Sequence, residues 1–354
     1  MAQKVAFIGT GRKREKPGLM GYAMAYSHAE GYQLIADLEL AAVADISEEN
    51  GRAFCDTFGI PELYADYNEM LAEVRPDIVS ICTWPHLHEQ MVVDCARAGV
   101  GMIFCEKPMA DTIGASRNMV RVCEEEGCQL YFNHQRRYGK SFGGAKKLLD
   151  DGVIGELQRI EWSAGNLYDY GSHNFDMANY FNDEQHCDWA ICQIDYREET
   201  LAFGQHIENQ ALGLLHYEND VWHVIMTGEG AGAIPCHHRC IGTEGVIELG
   251  AERGALSYRT FGGGDWVIVD TEGEGMHQQT YIYRAIADAV EHFRAGTWSM
   301  LNMHNALNAT EQIFACWESA RRRARVDIPI EAEDNPLMAM IEAGDLTPAP
   351  ADAD

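Results

Sequence analysis

Positive charge is scarce in this sequence of 354 residues. Lysine and arginine number 27 against 55 aspartates and glutamates, giving a formal net charge of −28. Nucleic acids and anionic membranes are bound by basic surfaces, so the composition excludes both as partners. Long apolar runs are missing too. No run approaches the ~20 residues of a membrane span, and the N-terminal run is too short for a signal peptide. These absences predict a cytoplasmic protein.

The length and a hydrophobic content of 46% predict two globular domains. We expect a dinucleotide-binding domain at 1–130 and a substrate-binding and oligomerisation domain at 131–335. The last helices of the second domain are expected to pack partly on the first. An acidic tail, expected to fray, follows at 336–354.

The periodicity of the chain changes after about residue 140. Before that point, apolar runs alternate with helical patterns such as 48–58, which predicts a doubly wound parallel sheet of the Rossmann type. These runs lie at 5–8, 40–45, 77–82, 100–105 and 129–133. After it, strand-like segments follow one another with few helices, which predicts a mainly antiparallel open sheet. These segments lie at 157–164, 188–196, 210–217, 221–227, 233–241 and 245–249, and helical patterns return at 281–294 and 305–323.

Eleven cysteines are scattered through the predicted strands and helices. In a reducing compartment they are most simply buried thiols. On a strand, Cys236, His238 and Cys240 share one face, as metal ligands would. Their spacing matches no standard zinc pattern, which favours a plain strand, and we predict no metal.

A glycine turn, Gly9-Thr10-Gly11, follows the first predicted strand. Such turns bring the backbone close to a dinucleotide pyrophosphate, with a third glycine here at Gly21. The basic insert between them, 12–18, is either a solvated loop or a segment that reaches toward the ligand. Asp45 ends the second strand, where a carboxylate accepts hydrogen bonds from the adenosine ribose. The acids at 48 and 49 repel a 2′-phosphate and favour NAD over NADP, whereas the basic insert argues the other way.

Two further signals concern proton chemistry. Lys107 follows a strand at the carboxyl end of the sheet, where open α/β folds bind ligands. Asp169 and His173 are four residues apart at the start of a helical pattern, so both face one side. Histidine suits general acid–base work. The alternative is that Lys107 is an ordinary surface charge. For the pair, the alternative is that Asp169 caps the helix and His173 is a packed side chain.

Together these motifs resemble the Gfo/Idh/MocA family of oxidoreductases (glucose–fructose oxidoreductase, inositol dehydrogenase, rhizopine catabolism). The resemblance covers nearly the whole chain, to about residue 330. It rests on the glycine turn, on I-C-T-W-P-H-L-H at 81–88, on F-C-E-K-P-M-A at 104–110 and on Asp169-x-x-x-His173. The chain departs from the family in the insert of its glycine turn and in Trp84, which stands before the proline of the second motif.

The resemblance implies a role for each motif residue. His173 is the general acid/base, Lys107 polarises the reacting oxygen and contacts the cofactor, and Asp169 orients the pair. The remaining cofactor contacts are the glycine turn with Thr10, Asp45, Glu106 at the nicotinamide ribose, and Thr83 and His88 at the nicotinamide end. The implied substrate contacts are His173, Arg136, Tyr138, Asn166 and Tyr168.

The implied function is hydride transfer between NAD and a hydroxyl carbon of a sugar, sugar acid or cyclitol. Redox-neutral, NAD-dependent glycoside hydrolysis remains open, because the same residues serve transient oxidation, elimination, water addition and re-reduction. A non-enzymatic sensor of NAD is disfavoured, because Lys107, Asp169 and His173 are all present. The resemblance also implies a homodimer or homotetramer. Seven basic residues at motif positions predict a locally positive cleft: Arg12, Lys13, Arg14, Lys16, Lys107, Arg136 and Arg137.

Overall fold

The computed structural model describes residues 2–14 and 23–350. The chain forms two compact units, each assembled from separate segments. The first comprises residues 1–110, 115–135 and 278–307, and the second comprises 111–114, 136–277 and 308–354. Gly21 and Lys16 lie outside the described residues.

The first unit contains a six-stranded parallel sheet. Its strands are β1 (Gln3–Ile8), β2 (Leu38–Ala44), β3 (Glu62–Tyr64), β4 (Ile78–Ile81), β5 (Met102–Cys105) and β6 (Gln129–Phe132). The order β3-β2-β1-β4-β5-β6 and the parallel pairing of every neighbour confirm the doubly wound prediction. Only β3 was not predicted, because it has three residues and none of them is buried.

Helices connect the strands of the first unit, and further helices follow in the second unit. In chain order they are α1 (Met24–Gln33), α2 (Glu48–Phe58), α3 (Tyr67–Val74), α4 (Pro85–Arg97), α5 (Ile113–Glu126), α6 (Lys140–Asp150), α7 (Asp169–Phe181), α8 (Thr280–Ala295), α9 (Met303–Arg322) and α10 (Pro336–Glu342). Within the first unit, α8 packs closely on α1, because a Cβ at Gly31 would lie 3.0 Å from Ile286 Cδ1. The tail expected to fray is ordered in part, since Ala349 exchanges backbone hydrogen bonds with Arg197 and Glu199.

The second unit is built on a nine-stranded sheet. Its strands are β7 (Leu157–Ala164), β8 (Cys187–Asp195), β11 (Gln210–Tyr217), β12 (Trp222–Thr227), β13 (His238–Gly242), β14 (Gly245–Ala251), β15 (Gly254–Thr260), β16 (Val267–Ile268) and β17 (Val326–Asp327); a separate hairpin pairs β9 (Leu201–Ala202) with β10 (Gln205–His206). Among the strands described for this sheet, only β7 and β12 pair in parallel, which confirms the mainly antiparallel prediction. The strand predicted at 233–241 begins later, because a 3₁₀ turn occupies Gly228–Ala233.

The two faces of this sheet differ. On one face Trp162 of β7 is fully buried and meets Phe175 of α7 edge to face, with ring centroids 5.0 Å apart. On the other face apolar side chains remain in contact with solvent, among them Ile191, Leu212 and Trp222. In the part of the chain that the structure describes, no helix has the length and apolar character that crossing a bilayer requires.

Candidate functional site

The turn after β1 requires glycine at two positions. Gly9 and Gly11 have φ angles of +78° and +67°, in the left-handed region. A Cβ at Gly9 would lie 2.7 Å from Thr83 Cγ2 and 3.0 Å from the Cys82 carbonyl oxygen. The turn therefore carries bare backbone at the carboxyl end of β1, as the close approach of a pyrophosphate requires.

Asp45 fastens this turn to the end of β2. Its Oδ2 accepts hydrogen bonds from the Thr10 backbone nitrogen at 2.8 Å and the Thr10 hydroxyl at 2.6 Å, and its Oδ1 accepts one from Ser47 N at 2.8 Å. A carboxylate has about four acceptor positions, so one remains for a ribose hydroxyl. The geometry fits NAD, with the Thr10 side chain committed to Asp45.

Glu106 lies at the centre of a buried polar network. Its Oε1 accepts hydrogen bonds from Asn133 Nδ2 at 2.8 Å and lies 2.9 Å from His28 Nε2. The other nitrogen of His28 lies 3.1 Å from Ser80 Oγ. Burial opposes the charge of Glu106, but the contacts with His28 and Asn133 and the charge of Lys107 outweigh it and lower its pKa. Sequence analysis missed His28, which is fully buried on α1.

Thr83 and His88 join the segments that follow β4 and β5. The ring of His88 is buried, with Nδ1 3.0 Å from the Met109 carbonyl oxygen and Nε2 3.2 Å from the Thr83 carbonyl oxygen. Burial lowers the pKa of His88. A neutral ring has a single N–H, so it donates either to the Thr83 carbonyl oxygen or to the carbonyl oxygen of Met109, and it packs against the other. Contact of Thr83 and His88 with nicotinamide stays a prediction.

Helix α7 carries Asp169 and His173 in its first two turns, as predicted. Asp169 is half-buried and His173 is buried. Asn166 Oδ1 accepts a hydrogen bond from Asp169 N at 2.6 Å, and its carbonyl oxygen accepts one from Gly171 N at 3.0 Å. Asn166 thus fixes the start of the helix that carries the pair.

The predicted substrate contacts have different environments. Tyr168 is buried, and its ring stacks on Trp317 with centroids 5.7 Å apart. Burial raises the pKa of Tyr168 well above its ordinary value. Tyr138 is half-buried at the end of a single 3₁₀ turn. Sugar contact by Tyr138, Asn166 and Tyr168 stays a prediction. The structure also gives Asn166 a role at the start of α7 and Tyr168 a role in packing against Trp317.

Two of the seven basic residues predicted to form a locally positive cleft are paired with carboxylates. Arg137 is buried and binds both carboxylate oxygens of Asp176, through Nε at 2.9 Å and Nη2 at 2.8 Å, and also pairs with Glu184. Arg14, in the insert, pairs with Glu30 at 3.2 Å. Both cations are therefore neutralised by carboxylates of α1, α7 and the turn after α7. Arg12 and Lys13 are exposed.

All eleven cysteines are free thiols. Cys236, His238 and Cys240 are buried in alternation, which confirms that they share one face. Among residues 2–14 and 23–350, no three His, Cys, Asp or Glu side chains are grouped to hold a metal ion.

Glu208 is another buried carboxyl group, and no motif in the sequence pointed to it. Its Oε1 accepts hydrogen bonds from Leu167 N at 2.6 Å and Thr227 Oγ1 at 3.2 Å, and its Oε2 accepts one from Trp317 Nε1 at 3.1 Å. Burial raises the pKa of Glu208 to about 7, although these hydrogen bonds oppose the shift. Glu208 therefore ties the segment before α7 to β12 and α9.

Two family models match the chain. Residues 3–134 match an oxidoreductase family described as having an NAD-binding Rossmann fold, and residues 157–328 match the C-terminal alpha/beta domain of that family. The chain is 24% identical over 273 residues to myo-inositol 2-dehydrogenase of Thermotoga maritima, covering 72% of this chain and 78% of the relative. It is 26% identical over 255 residues to 2,7-anhydro-N-acetylneuraminate hydratase of Mediterraneibacter gnavus, covering 65% and 67%.

The fold is also found among solved structures. An oxidoreductase of Agrobacterium radiobacter, crystallised with NAD+, L-tartaric acid and magnesium, superimposes with a TM-score of 0.76 at 21% identity. The match covers 93% of this chain and 99% of that one.

The parallel sheet, the glycine turn and Asp45 define an NAD-binding protein of the Rossmann class. With both domains matched, the chain belongs to the Gfo/Idh/MocA oxidoreductase family. The predicted family, the predicted cofactor NAD and the prediction that the protein is an enzyme are confirmed.

The glycine turn generates a first prediction. Gly9→Ala is expected to weaken NAD binding about tenfold or more, because overlap with Thr83 and a strained φ together cost about 1–3 kcal/mol in the conformation that binds. Isothermal titration calorimetry measures the dissociation constant. Gly99→Ala is the matched control, since Gly99 has a φ of +86° with nothing within 4 Å of an added Cβ. Equal NAD affinity in the two variants would contradict the role of Gly9.

Glu208 generates a prediction for pH. Its pKa of about 7 lies above the ordinary value of 4.5, so the folded state binds a proton that the unfolded state has lost. Its contribution to the free energy of unfolding is therefore present below about pH 4.5 and lost as pH rises to about 7. Glu208→Gln should remove this component, measured by urea unfolding at pH 5, 6 and 7. The exposed Glu126→Gln is the control, and an unchanged pH dependence in Glu208→Gln would disprove the assignment.

Proposed function

We propose that the protein transfers hydride between NAD and a hydroxyl-bearing carbon of a sugar, sugar acid or cyclitol. Membership of the Gfo/Idh/MocA family and the name of the inositol dehydrogenase relative support this substrate class. When bound, NAD accepts the hydride or returns it. The remaining work, which is to bind, orient and move a proton, belongs to side chains of this chain.

The observation that carries the proposal is the arrangement of Asp169 and His173 on α7. A hydroxyl group cannot lose hydride unless its proton leaves as well, so a base is required. The two residues are one helical turn apart, and Asn166 fixes the turn that begins the helix. In this proposal His173 takes the hydroxyl proton or returns it, and Asp169 orients the pair or binds a neighbouring hydroxyl.

Lys107 supplies the positive charge in this proposal. It follows β5 at the carboxyl end of the parallel sheet, and its backbone neighbour Glu106 is held by His28 and Asn133. The ammonium group donates to the reacting oxygen and stabilises negative charge there. Glu106 Oε1 already has two partners, which leaves Oε2 for the nicotinamide ribose. Arg136, Tyr138, Asn166 and Tyr168 are the proposed substrate contacts.

The proposal predicts the effect of removing the ammonium group. Lys107→Met keeps most of the side-chain volume and should abolish NADH formation on a sugar and cyclitol panel, while the dissociation constant for NAD changes less than about threefold. NADH absorbance and calorimetry measure the two quantities. Lys140→Met, which removes an exposed ion pair with Glu272, is the control. Retention of most activity in Lys107→Met would show that the lysine has been misassigned.

Redox-neutral hydrolysis is a second candidate, favoured by the relative named as a hydratase of an anhydro sugar. Here oxidation of the sugar acidifies a neighbouring C–H, elimination expels the aglycone, and water addition and re-reduction follow. The same assay separates the two reactions when it is run on glycosides. Release of aglycone with catalytic NAD and no accumulation of NADH supports hydrolysis, whereas stoichiometric NADH supports dehydrogenation.

We also propose that the open face of the nine-stranded sheet pairs with a second copy of the chain. Leu212, Ile191 and Trp222 on this face are 57%, 43% and 39% exposed, which is unusual for apolar side chains on neighbouring strands. Burial of this face would yield the dimer or tetramer expected from the family.

Light scattering tests the pairing. The wild-type protein should have at least twice the monomer mass, and Leu212→Asp should shift it toward the monomer, because a charge on this face disfavours burial. Leu34→Asp is the control, since Leu34 is 72% exposed and belongs to the first unit. A wild-type monomer at micromolar concentration would exclude the pairing.

A further inference from the structure

The segment Cys236–Cys240 contains two adjacent histidines to which the proposed reaction gives no role. His237 and His238 belong to a closed ring of contacts with Arg136 and Asn174. Arg136 Nη1 lies 3.0 Å from His237 Nε2, and His237 Nδ1 lies 2.6 Å from His238 Nδ1. His238 Nε2 lies 3.2 Å from the Asn174 carbonyl oxygen, and Arg136 Nη1 donates to Asn174 Oδ1 at 2.6 Å.

Arginine fixes the direction of every hydrogen bond in this ring. A guanidinium only donates, so His237 Nε2 must accept and His237 Nδ1 must carry the hydrogen. His238 Nδ1 then accepts, and His238 Nε2–H donates to the Asn174 carbonyl. Each histidine is therefore neutral and adopts a single tautomer. Burial, and then the charge of Arg136, lower the pKa of His237, and burial lowers that of His238 to about 3.

The ring holds one side of Arg136 and leaves another side without a partner. Arg136 is 3% exposed, and its Nε is buried without a hydrogen-bond partner. The adjacent Arg137 is a direct comparison, because its Nε and Nη2 bind the two oxygens of Asp176 at 2.9 Å and 2.8 Å. The Nε and Nη2 groups form the edge that grips a carboxylate in two parallel hydrogen bonds. In Arg137 a protein carboxylate fills this edge.

No carboxylate of the described residues pairs directly with Arg136. The charges of Asp169 and Asp176 raise the pKa of Arg136, but neither carboxylate forms a salt bridge with it. Burial lowers the pKa of Arg136 to about 10, which still leaves it protonated at neutral pH. The nearby His237, His238 and His277 all have lowered pKa values and are neutral. A buried cation that no carboxylate contacts directly is costly, and a ligand carboxylate would reduce that cost.

We infer that the Nε/Nη2 edge of Arg136 binds a carboxylate of the substrate, and that His237 and His238 are positioning residues that hold the guanidinium in place. This inference rests on the proposed function and narrows its substrate class to sugar acids. Asn174 follows His173 on α7, so the ring also links the proposed carboxylate site to the helix that carries the acid–base pair.

The test compares pairs of compounds that differ mainly in one carboxylate: D-glucuronate with D-glucose, D-galacturonate with D-galactose, and D-gluconate with D-glucitol. Calorimetry with the NADH-loaded protein at constant ionic strength measures each dissociation constant. In at least one pair the acid should bind about 10- to 100-fold more tightly than its neutral partner, as expected for charge-assisted hydrogen bonds. Arg136→Met should abolish that difference.

Two further variants test the positioning role. His237→Gln keeps an acceptor for Arg136 and a donor for His238, so it should preserve the preference for the acid. His237→Leu removes both and should reduce it at least fivefold, while binding of the neutral sugar and of NADH stays unchanged. Arg136→Lys keeps the charge without the two-pronged edge and should behave like His237→Leu. It replaces Arg136→Met if that variant does not fold.

The outcomes separate this inference from the proposed function. The carboxylate site is overturned if no acid binds more tightly than its neutral partner. It is also overturned if the tighter binding of the acid persists in Arg136→Met. NAD-linked turnover of neutral sugars in that case leaves the dehydrogenase proposal intact. A different result is that the acid binds more tightly in a way that requires Arg136, while no compound of the panel and no glycoside of it yields NADH or free aglycone. That result upholds the carboxylate site and overturns the proposed reaction. If the acid binds more tightly than its neutral partner without NADH but not with NADH, then Arg136 binds the cofactor phosphates. That result also overturns the inference.

Discussion

A charge buried in a folded protein must be met by an opposite charge or by several hydrogen bonds, and this constraint organises the polar interior of the chain. Asp176 is met by Arg137, and Glu106 by His28 and Asn133. Glu208, whose pKa is raised by burial, still accepts hydrogen bonds from three donors in separate elements. Each of these contacts also fixes a backbone segment that carries a proposed functional residue. The interactions that make burial tolerable are therefore the ones that position the site.

The same constraint explains where the cofactor residues lie. The turn after β1 must leave backbone donors exposed, which only glycine allows at Gly9, and Asp45 holds that turn through its backbone and hydroxyl donors. In the second unit, the start of α7 is held by Asn166, which precedes the helix in the sequence, and by Glu208, which follows it. A rigid helix start keeps Asp169 and His173 in register, as general acid–base chemistry demands.

Features governed by local periodicity could be predicted from the sequence, and long-range contacts could not. The helix at Glu48–Phe58 and the strands β7 and β11 have the predicted bounds, because apolar runs and capping residues define them. Helix α6 was missed, because Gly143 and Gly144 interrupt its pattern. The buried partners His28 and Glu106 are 78 residues apart, and no local pattern pairs them. The pairing of Arg137 could not be predicted for the same reason, since its partner Asp176 lies 39 residues further on.

The most direct test of the account is a crystal structure of the protein with NADH and the sugar acid that binds most tightly. The account predicts that one hydroxyl of the sugar lies within hydrogen-bond reach, about 2.6–3.2 Å, of both Lys107 and His173. Its carboxylate should meet the Nε and Nη2 atoms of Arg136. A sugar bound away from Lys107 and His173, or with its carboxylate in solvent, would contradict the account.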